Sequence, residues 1–269
     1  MANNSSRVIL ITGASSGIGW ATALRAGRTG AKLALVARRQ EKLDELADKL
    51  RSEFRTDCLV IPTDLRRPEQ AEECVLAAHR HFGRLDVLVN NAGVLIEEPF
   101  DMAAPGVVRD LVETNFWAVY HTTRTAVPLM EKQGEGHIIN IGSVAGRRGI
   151  PYMALYCASK FALTGFTESL RLELEHKNIF LTLISPGGVE TPMPYSVDRS
   201  KIPLGNATHR KGIPPEEVAD AILRAVDKKP AEVFLPAYSK LAAVLTNTLP
   251  SLTDVIVRKV RLGRFFRWT

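Results

Sequence analysis

The sequence predicts an α/β domain in which a doubly wound parallel sheet of about seven strands is covered by helices on both faces. Strand-like and helix-like segments alternate along the whole 269-residue chain. Helices of this length between strands imply parallel pairing through right-handed crossovers. Residues 8–11 and 87–89 are apolar at every position, as expected of strands buried on both sides. No repeat, low-complexity tract or linker interrupts the pattern, so we expect residues 1–269 to form a single domain.

The first half of the chain contains four strands with a helix after each of the first three. The strands are predicted at short apolar runs rich in β-branched residues, namely Val8–Thr12, Lys32–Val36, Cys58–Ile61 and Leu85–Asn90. The helices are predicted at Gly17–Arg28, at Glu41–Phe54 with leucines on one face, and at Pro68–Phe82 with a proline in the first turn.

The second half continues the alternation. A helical stretch over residues 101–131 precedes a strand at His137–Ile141, and a helix at Pro151–His176 precedes a strand at Ile179–Ile184. A helix at Pro214–Asp227 and a strand at Glu232–Leu235 end the pattern. Residues 187–213 are irregular and rich in proline and glycine, and a connection of this length is usually a lid or a binding loop.

Composition and charge exclude several classes of protein. The net charge is +6, but residues 251–269 contain five basic groups and one acidic group. The remaining body is nearly neutral, which argues against nucleic-acid binding. The sequence has no apolar run of membrane-spanning length, no signal peptide and only three cysteines without metal-ligand spacing. We therefore expect a cytoplasmic protein without a metal site.

A glycine-rich loop follows the first predicted strand and opens directly into the first predicted helix. It reads Thr12-Gly13-Ala14-Ser15-Ser16-Gly17-Ile18-Gly19. Glycines let the backbone approach a pyrophosphate closely, and the free N–H groups of a helix N-terminus attract anions. Because ordinary turns also use glycine, the position of the loop at the first strand–helix junction is what indicates dinucleotide binding.

The end of the second predicted strand indicates which ribose is accepted. NAD-binding sheets place a carboxylate there for the 2′-hydroxyl, whereas this chain has Arg38 and Arg39. Two guanidinium groups suit a 2′-phosphate, so we expect NADP(H) to be preferred over NAD(H), with Arg38 as the main contact. The alternative is a solvated arginine pair bound to Glu41.

Candidate acid–base groups lie farther along the chain. Tyr156 and Lys160 are four residues apart on a predicted helix and therefore share a face. An ammonium ~4 Å from a phenol contributes ~4 kcal/mol at an effective dielectric of ~20, which would lower the phenol pKa by ~3 units, towards the working range for proton transfer. Ser143 follows the fifth predicted strand, at the edge where open α/β sheets bind ligands. Each feature is common by chance, and only their joint occurrence is informative.

Together these motifs resemble the short-chain dehydrogenase/reductase family, in its branch of roughly 250-residue single-domain enzymes. The matching positions run from residue 12 to about 192 in the order and spacing of that family. They are the Thr12–Gly19 loop, Asn90-Asn91-Ala92-Gly93, Asn115, Ser143, Tyr156-x-x-x-Lys160 and Pro186-Gly187. The resemblance implies a Rossmann-like fold and an oxidoreductase that interconverts a carbonyl and an alcohol.

The resemblance also implies roles for individual residues. Tyr156 would exchange the proton, Ser143 would polarise the substrate oxygen, Lys160 would bind the nicotinamide ribose and lower the pKa of Tyr156, and Asn115 would hold a water that completes a proton relay. The implied cofactor contacts are Gly13, Ser15, Ser16, Gly17, Ile18, Gly19, Arg38, Arg39, Asp64, Leu65, Asn91, Ala92, Gly93, Tyr156, Lys160, Pro186, Gly187, Val189 and Thr191. Among them, Asp64 resembles an adenine-contacting aspartate, and Val189 and Thr191 resemble the pair that fixes the carboxamide.

The substrate pocket is expected between residues 144–155 and 187–213. The candidate lining is mostly apolar and favours a small lipophilic substrate, although many of these side chains could simply pack the loops. It consists of Val144, Ala145, Ile150, Tyr152, Met153, Leu155, Met193, Pro194 and Tyr195, with Arg147 and Arg148 adjacent.

The association state and the basic tail leave alternatives open. Relatives are commonly dimers or tetramers joined through the 101–131 and 151–176 helices, so we expect a homo-oligomer. Residues 251–269 mix apolar and basic side chains and could contact an anionic membrane surface or pack on the domain or on a second subunit. A regulator without catalysis, or an isomerase or dehydratase, is the alternative function.

Overall fold

Seven strands form a single parallel sheet in the computed structural model, which describes residues 7–192, 195–196 and 212–257. In chain order the strands are β1 (Val8–Thr12), β2 (Lys32–Ala37), β3 (Cys58–Pro62), β4 (Val87–Asn90), β5 (Leu95–Ile96), β6 (Gly136–Ile141), β7 (Ile179–Pro186), β8 (Tyr195–Ser196) and β9 (Glu232–Leu235). The sheet order is β3-β2-β1-β4-β6-β7-β9, and β5 pairs separately with β8. This order is that of a doubly wound Rossmann-like fold, as the sequence predicts.

Nine α-helices are present in the described part of the chain, and those between sheet strands cover both faces of the sheet. They are α1 (Gly17–Gly27), α2 (Gln40–Phe54), α3 (Pro68–Phe82), α4 (Pro105–Val112), α5 (Ala118–Gln133), α6 (Ala154–Leu174), α7 (Pro215–Lys228), α8 (Ser239–Thr248) and α9 (Pro250–Val257). None of these helices combines the length and the apolar character needed to cross a bilayer.

The core has one apolar layer on each side of the sheet. Alternate residues of β1 point to opposite faces, so Ile9 and Ile11 pack with α1, α2 and α7, while Val8 and Leu10 pack with α3 and α5. The chain leaves β1 towards β2 on one side and reaches β4 on the other. The carboxyl ends of β1 and β4 therefore border the crevice where doubly wound sheets bind ligands.

Two predicted helices start later than expected. The stretch over 101–131 begins its helix at Pro105 and is interrupted by a π turn at Glu113–Trp117. The helix predicted from Pro151 begins at Ala154, because Tyr152 has a positive φ of 65°. The carbonyl oxygen of Tyr152 accepts a hydrogen bond from the N–H of Glu98, which holds residue 152 outside the helix.

The segment after β7 and the C-terminal segment also differ from expectation. Val189 pairs with Ile213 across the base of the predicted 187–213 loop, and β8 lies within the loop beside β5. Met193, Pro194 and residues 197–211 lie outside the described residues, as do the basic residues of 258–269. Residues 251–257 belong to α9, where Asp254 pairs with Arg148, so this part of the tail packs on its own domain.

Candidate active site

The glycine loop at the end of β1 has no room for side chains at three positions. A Cβ on Gly13 would lie 2.9 Å from the Cα of Ala92, and a Cβ on Gly19 would lie 2.3 Å from the carbonyl oxygen of Gly13. A Cβ on Gly17 would lie 2.9 Å from Cγ2 of Thr191. Gly13 and Gly17 also have positive φ angles, which glycine adopts most readily. The loop is therefore compact enough to bring main-chain N–H groups to a bound anion.

The N-terminus of α1 is suited to a pyrophosphate. Its first turn contains no acidic residue, and the side chain of Ser16, the N-cap residue, makes no capping hydrogen bond. The first N–H groups of a helix lack intrahelical partners, and the helix dipole adds positive potential there. Ile18, the second residue of α1, is buried in the core and anchors this end of the helix.

The segment after β4 is joined to the glycine loop by hydrogen bonds. The side-chain amide of Asn91 donates to the carbonyl oxygen of Thr12 at 2.8 Å. In return, the hydroxyl oxygen of Thr12 accepts from the backbone N–H groups of Asn91 and Ala92 at 2.9 and 3.0 Å. Asn91 and Ala92 are therefore held against the glycine loop, at the carboxyl ends of β1 and β4.

Two exposed arginines lie at the end of β2. Arg39 donates to the hydroxyl of Ser15 at 3.1 Å, which brings the second strand's end to the glycine loop. Among the described residues neither arginine is joined to Glu41 by an ion pair, and both are exposed. The guanidinium groups face solvent, where they could bind a phosphate.

Asp64 and Leu65 lie beside this arginine pair, after β3. Arg66 forms a 2.6 Å ion pair with Asp64 and a second 2.6 Å pair with Asp110. The hydrogen bonds from the Arg66 side chain lower the pKa of Asp64 below its usual range, and the charge of Arg38 acts in the same direction. Leu65 is buried, and the bonds from Arg66 hold the Asp64 carboxylate in a defined position.

Lys160 lies at the centre of the site. Its ammonium donates to the carbonyl oxygen of Ile141, the last residue of β6, at 2.8 Å. A Cβ on Gly93 would lie 3.8 Å from Nζ of Lys160 and 3.3 Å from Oδ1 of Asn115. Gly93 therefore lies close to both the ammonium and the Asn115 amide, and a side chain at this position would crowd Asn115. Burial lowers the pKa of Lys160 to about 8, because desolvation disfavours the charged form.

Tyr156 and Ser143 are both nearly buried, each with 8% of its surface exposed. Tyr156 precedes Lys160 by one turn of α6, and its ring centre lies 5.8 Å from Nζ. Ser143 follows β6 and caps a short 3-10 turn, where its Oγ accepts from the N–H of Ala145 at 3.1 Å. The hydroxyl proton of Ser143 remains available for donation to a substrate oxygen.

Asn115 is fully buried in the π turn between α4 and α5. Its side-chain amide donates to the carbonyl oxygen of Val94 and to the hydroxyl of Ser159, and its Oδ1 accepts from the N–H of Val94. These bonds join the segment after β4 to α6. In the π turn, the backbone N–H of Ala118 donates to the carbonyl oxygen of Glu113, five residues earlier. Single π turns of this kind occur frequently at functional sites.

Comparison with known proteins agrees with this geometry. A family model for short chain dehydrogenases matches residues 7–201. The chain belongs to the short-chain dehydrogenase family.

Individual relatives resemble the chain over most of its length. An uncharacterised oxidoreductase of Bacillus subtilis is 38% identical over 94% of this chain and 72% of its own length. A protein of Arabidopsis thaliana named 11-beta-hydroxysteroid dehydrogenase-like 3 is 34% identical over 94% of this chain and 80% of its own length.

Solved structures of family members contain both forms of the cofactor. A short-chain dehydrogenase/reductase from Burkholderia phymatum, solved in complex with NAD, has a TM-score of 0.85 at 25% identity and covers 94% of this chain and 97% of its own. Other solved members are complexes with NADP or NADPH. These solved members of the family therefore bind nicotinamide cofactors, in both the NAD and the NADP forms.

A small pocket lies beside Leu155, which directly precedes Tyr156, in the region where we expect the substrate. Of the side chains expected to line it, Tyr152 and Leu155 do so, whereas Ala145, Ile150 and Met153 pack with Tyr156 in a small apolar cluster. The rest of the lining comes from the segment after β4 and from the start of α6, namely Ile96, Glu98, Phe100, Ala103 and Ala154. Four of these five residues lie outside the two segments that the sequence indicated.

The loop after β7 completes the crevice. Pro186 ends β7 beside Leu235 of β9, and the N–H of Gly187 donates to the carbonyl oxygen of Leu235 at 2.6 Å. Thr191 contacts Gly17 at the glycine loop. Sequence reasoning missed the groups that hold the Ser143 turn in place, Gly146 and Arg147, because their partners are distant in sequence.

Proposed function

We propose that this short-chain dehydrogenase is an NADP(H)-dependent oxidoreductase that interconverts a carbonyl and an alcohol on a small lipophilic substrate. The observation that carries the proposal is the buried ammonium of Lys160, which lies one helical turn from Tyr156 and close to Gly93. A buried cation costs folding free energy unless it is paired and hydrogen-bonded, so such groups occur at functional sites more often than elsewhere. A phenol beside a cation is a suitable proton donor near neutral pH.

The residues fit the nicotinamide cofactor of the family. The compact glycine loop and the uncapped N-terminus of α1 would bind the pyrophosphate, and the walls at residues 91–93 and 186–191 would enclose the nicotinamide half. Bound there, the nicotinamide supplies or accepts the hydride. Lys160 would hold the ribose hydroxyls, while Val189 and Thr191 would orient the carboxamide.

Tyr156 and Ser143 would act on the substrate oxygen. In the reducing direction, the hydroxyl of Ser143 donates a hydrogen bond that polarises the carbonyl. The phenol of Tyr156 gives its proton to the oxygen as the carbon receives the hydride, so the product is a neutral alcohol. In the oxidising direction Tyr156 takes the same proton back.

The proton lost by Tyr156 would return through Lys160. The pKa of Lys160 of about 8 allows it to exchange protons near neutral pH. Since the side-chain amide of Asn115 is committed to Val94 and Ser159, Asn115 would hold the relay water with its main-chain carbonyl group.

Arg38 and Arg39 support NADP(H) over NAD(H). Their guanidinium groups are exposed at the end of β2, and Arg39 is oriented towards the glycine loop by Ser15. Charge-assisted hydrogen bonds from these groups would hold the 2′-phosphate. Asp64 and Leu65 would flank the adenine.

The substrate proposal rests on the character of the pocket. Ile96, Phe100, Ala103 and Leu155 make most of its lining apolar, and Arg147 and Arg148 are engaged by carboxylates. A lipophilic ketone, aldehyde or alcohol therefore suits the pocket better than an anionic substrate. A relative named for a hydroxysteroid dehydrogenase supports the same class.

The deciding experiment is a kinetic screen of NADPH and NADH against ketones and aldehydes of varied size. We expect net consumption of NADPH with a lipophilic carbonyl compound. Conversion without net cofactor turnover would support an isomerase, and tight binding without conversion would support a regulator.

The role of Tyr156 as proton donor is tested by substitution. Tyr156→Phe should keep cofactor binding and lose nearly all turnover, and an active variant would show that the proton donor is another group.

Two surface features support proposals about partners. Exposed Trp117 and Phe161 lie in the helices through which we expect a homodimer or homotetramer to form. On α8 and directly after it, exposed Leu241, Leu245 and Leu249 are apolar. They come shortly before the basic residues of 258–269 in the sequence, and this combination would suit an anionic membrane surface. Co-sedimentation of the intact protein and of a chain ending at Pro250 with anionic vesicles tests this contact, and equal pelleting, or none, would refute a membrane contact through residues 251–269.

The cysteines support the proposal that the protein works in a reducing compartment. Cys58, Cys74 and Cys157 are buried, and none forms a disulfide, which favours the cytoplasm.

A further inference from the structure

Arg147 ends the 3-10 turn that begins at Ser143, and its side chain is only 17% exposed. The guanidinium binds both carboxylate oxygens of Glu232 on β9, at 2.6 and 3.3 Å. The same group binds Glu168 on α6 at 2.6 Å. One side chain therefore connects the turn after β6 with the edge strand of the sheet and with the helix that carries Tyr156.

Glu232 is itself held in place. The hydroxyl of Ser185 on β7 donates to its Oε1 at 2.7 Å, and the carboxylate is 19% exposed. A carboxylate that accepts a bidentate arginine and a hydroxyl has a defined position, so Arg147 is bound to a rigid acceptor. Glu168, by contrast, is 51% exposed and offers a weaker, solvent-screened pair.

The turn between Ser143 and Arg147 is short and tightly packed. Gly146 donates to the carbonyl oxygen of Ser143 at 2.9 Å, and Arg147 donates to that of Val144 at 3.0 Å. A Cβ on Gly146 would lie 2.7 Å from the carbonyl oxygen of Lys160, so the turn is pressed against α6. A displacement of Arg147 would therefore be transmitted to Ser143.

We propose that Arg147 is a positioning residue, which holds the hydroxyl of Ser143 in place relative to Tyr156 by binding Glu232. Arg147 does not touch substrate or cofactor in this proposal, and it acts only through Ser143. The inference rests on the proposed function, because it assigns Ser143 a role in polarising the substrate oxygen.

The kinetic test compares Arg147→Met in two backgrounds. In the otherwise unchanged enzyme we expect kcat to fall about tenfold or more, since small misplacements of catalytic groups cost this much, while KM for NADPH stays unchanged. In a Ser143→Ala background the same substitution should lower kcat less than twofold. An equal loss in both backgrounds, or no loss in either, would overturn the proposal.

Matched variants separate positioning from stability. Glu232→Gln should reproduce the loss of kcat, whereas Glu168→Gln should have little effect. Arg147→Lys should restore part of the activity, because lysine keeps the charge but not the bidentate geometry. Arg7→Met removes another ion pair, to Asp227, outside the site and should lower stability without lowering kcat.

A second readout does not depend on activity. The N–H of Ala145 is bonded to Oγ of Ser143, so hydrogen exchange at residues 145–147 should be faster in Arg147→Met than in Arg7→Met. Unchanged exchange refutes the positioning role even if the wild-type enzyme reduces no carbonyl compound. If exchange is faster but the wild-type protein has no reductase activity, Arg147 does hold the turn through its ion pair with Glu232, and it is the proposed reaction that is wrong.

Discussion

The ammonium of Lys160 donates a hydrogen bond of 2.8 Å to the carbonyl oxygen of Ile141, and this contact fixes the Tyr156 helix to the end of β6. The bond provides one acceptor for the Lys160 ammonium, which is buried away from water. The remaining ammonium protons stay available for a ribose hydroxyl or a relay water. The cost of this arrangement should be measurable as a pH dependence of stability.

We expect the stability of the cofactor-free protein to rise between pH 8 and 10.5 because of Lys160. The pKa is about 8 in the folded state against an ordinary 10.5, so in this interval the unfolded state binds more protons. The rise should reach about 3 kcal/mol and be absent below pH 8, where both states are protonated. Urea unfolding of the wild type and of Lys160→Met measures the difference.

The control is Lys49→Met, which removes an exposed lysine in an ion pair with Glu53. Lys49→Met should keep the rise, and Lys160→Met should lose it. If both variants follow the wild-type curve, the ammonium of Lys160 is better solvated than its position indicates.

The arginine pair after β2 should determine cofactor preference. In Arg38→Ala/Arg39→Ala we expect KM for NADPH to increase about tenfold or more, since a hydrogen bond to a charged group contributes about 1.5–3 kcal/mol, while KM for NADH changes little. Steady-state kinetics with both cofactors measure the ratio. Arg28→Ala, at the other end of α1, should leave it unchanged, and an equal effect on both cofactors would contradict the phosphate contact.

His137 should make the protein sensitive to acid. Burial and the nearby charge of Lys229 lower the pKa of His137 to about 4 from 6.5, while its Nε2 lies 2.9 Å from the hydroxyl of Thr182. As pH falls from 6.5 to 4, the unfolded state takes up the proton first, and up to about 3 kcal/mol of stability is lost.

Chemical denaturation at pH 7, 5.5 and 4.5 tests the role of His137. His137→Gln should flatten the decrease, and the exposed His176→Gln should not. A decrease of the same size in both variants would assign the acid sensitivity to carboxylates.

The outer faces of α5 and α6 should form the subunit contact. Trp117 and Phe161 expose 42% and 46% of their surfaces, and a charge there would oppose burial of this surface. Light scattering coupled to size exclusion should show Phe161→Glu as a smaller species than the wild type. Leu241→Glu on α8 is the control, and dissociation by Leu241→Glu alone would place the contact on α8.

The sequence predicted the sheet and the crevice because their signals are local. Fully apolar runs marked β1 and β4, and the glycines of residues 13–19 showed where the backbone must pass closely. Lys160 and Tyr156 were singled out by their helical spacing together with their position downstream of the glycine loop and Ser143. All of these depend on neighbours within one or two elements.

The features that the sequence did not predict depend on contacts between segments that are distant along the chain. The late start of α6 follows from the bond between Glu98 and Tyr152, and the π turn at Asn115 is not visible in residue periodicity. Arg147 was noted only as adjacent to the expected pocket, because nothing local identifies Glu232 as its acceptor. The pocket lining from residues 96–103 was missed for the same reason.

The close contact of Gly146 with α6 has a consequence for how such enzymes diversify. Ser143, Tyr156 and Lys160 belong to one unit that tolerates little rearrangement, whereas the facing wall of the pocket comes from residues 96–103, which lie outside the sheet. Substitutions in that wall can alter which molecules enter while the chemistry is inherited unchanged. A lineage built in this way can acquire new substrates by altering one wall alone.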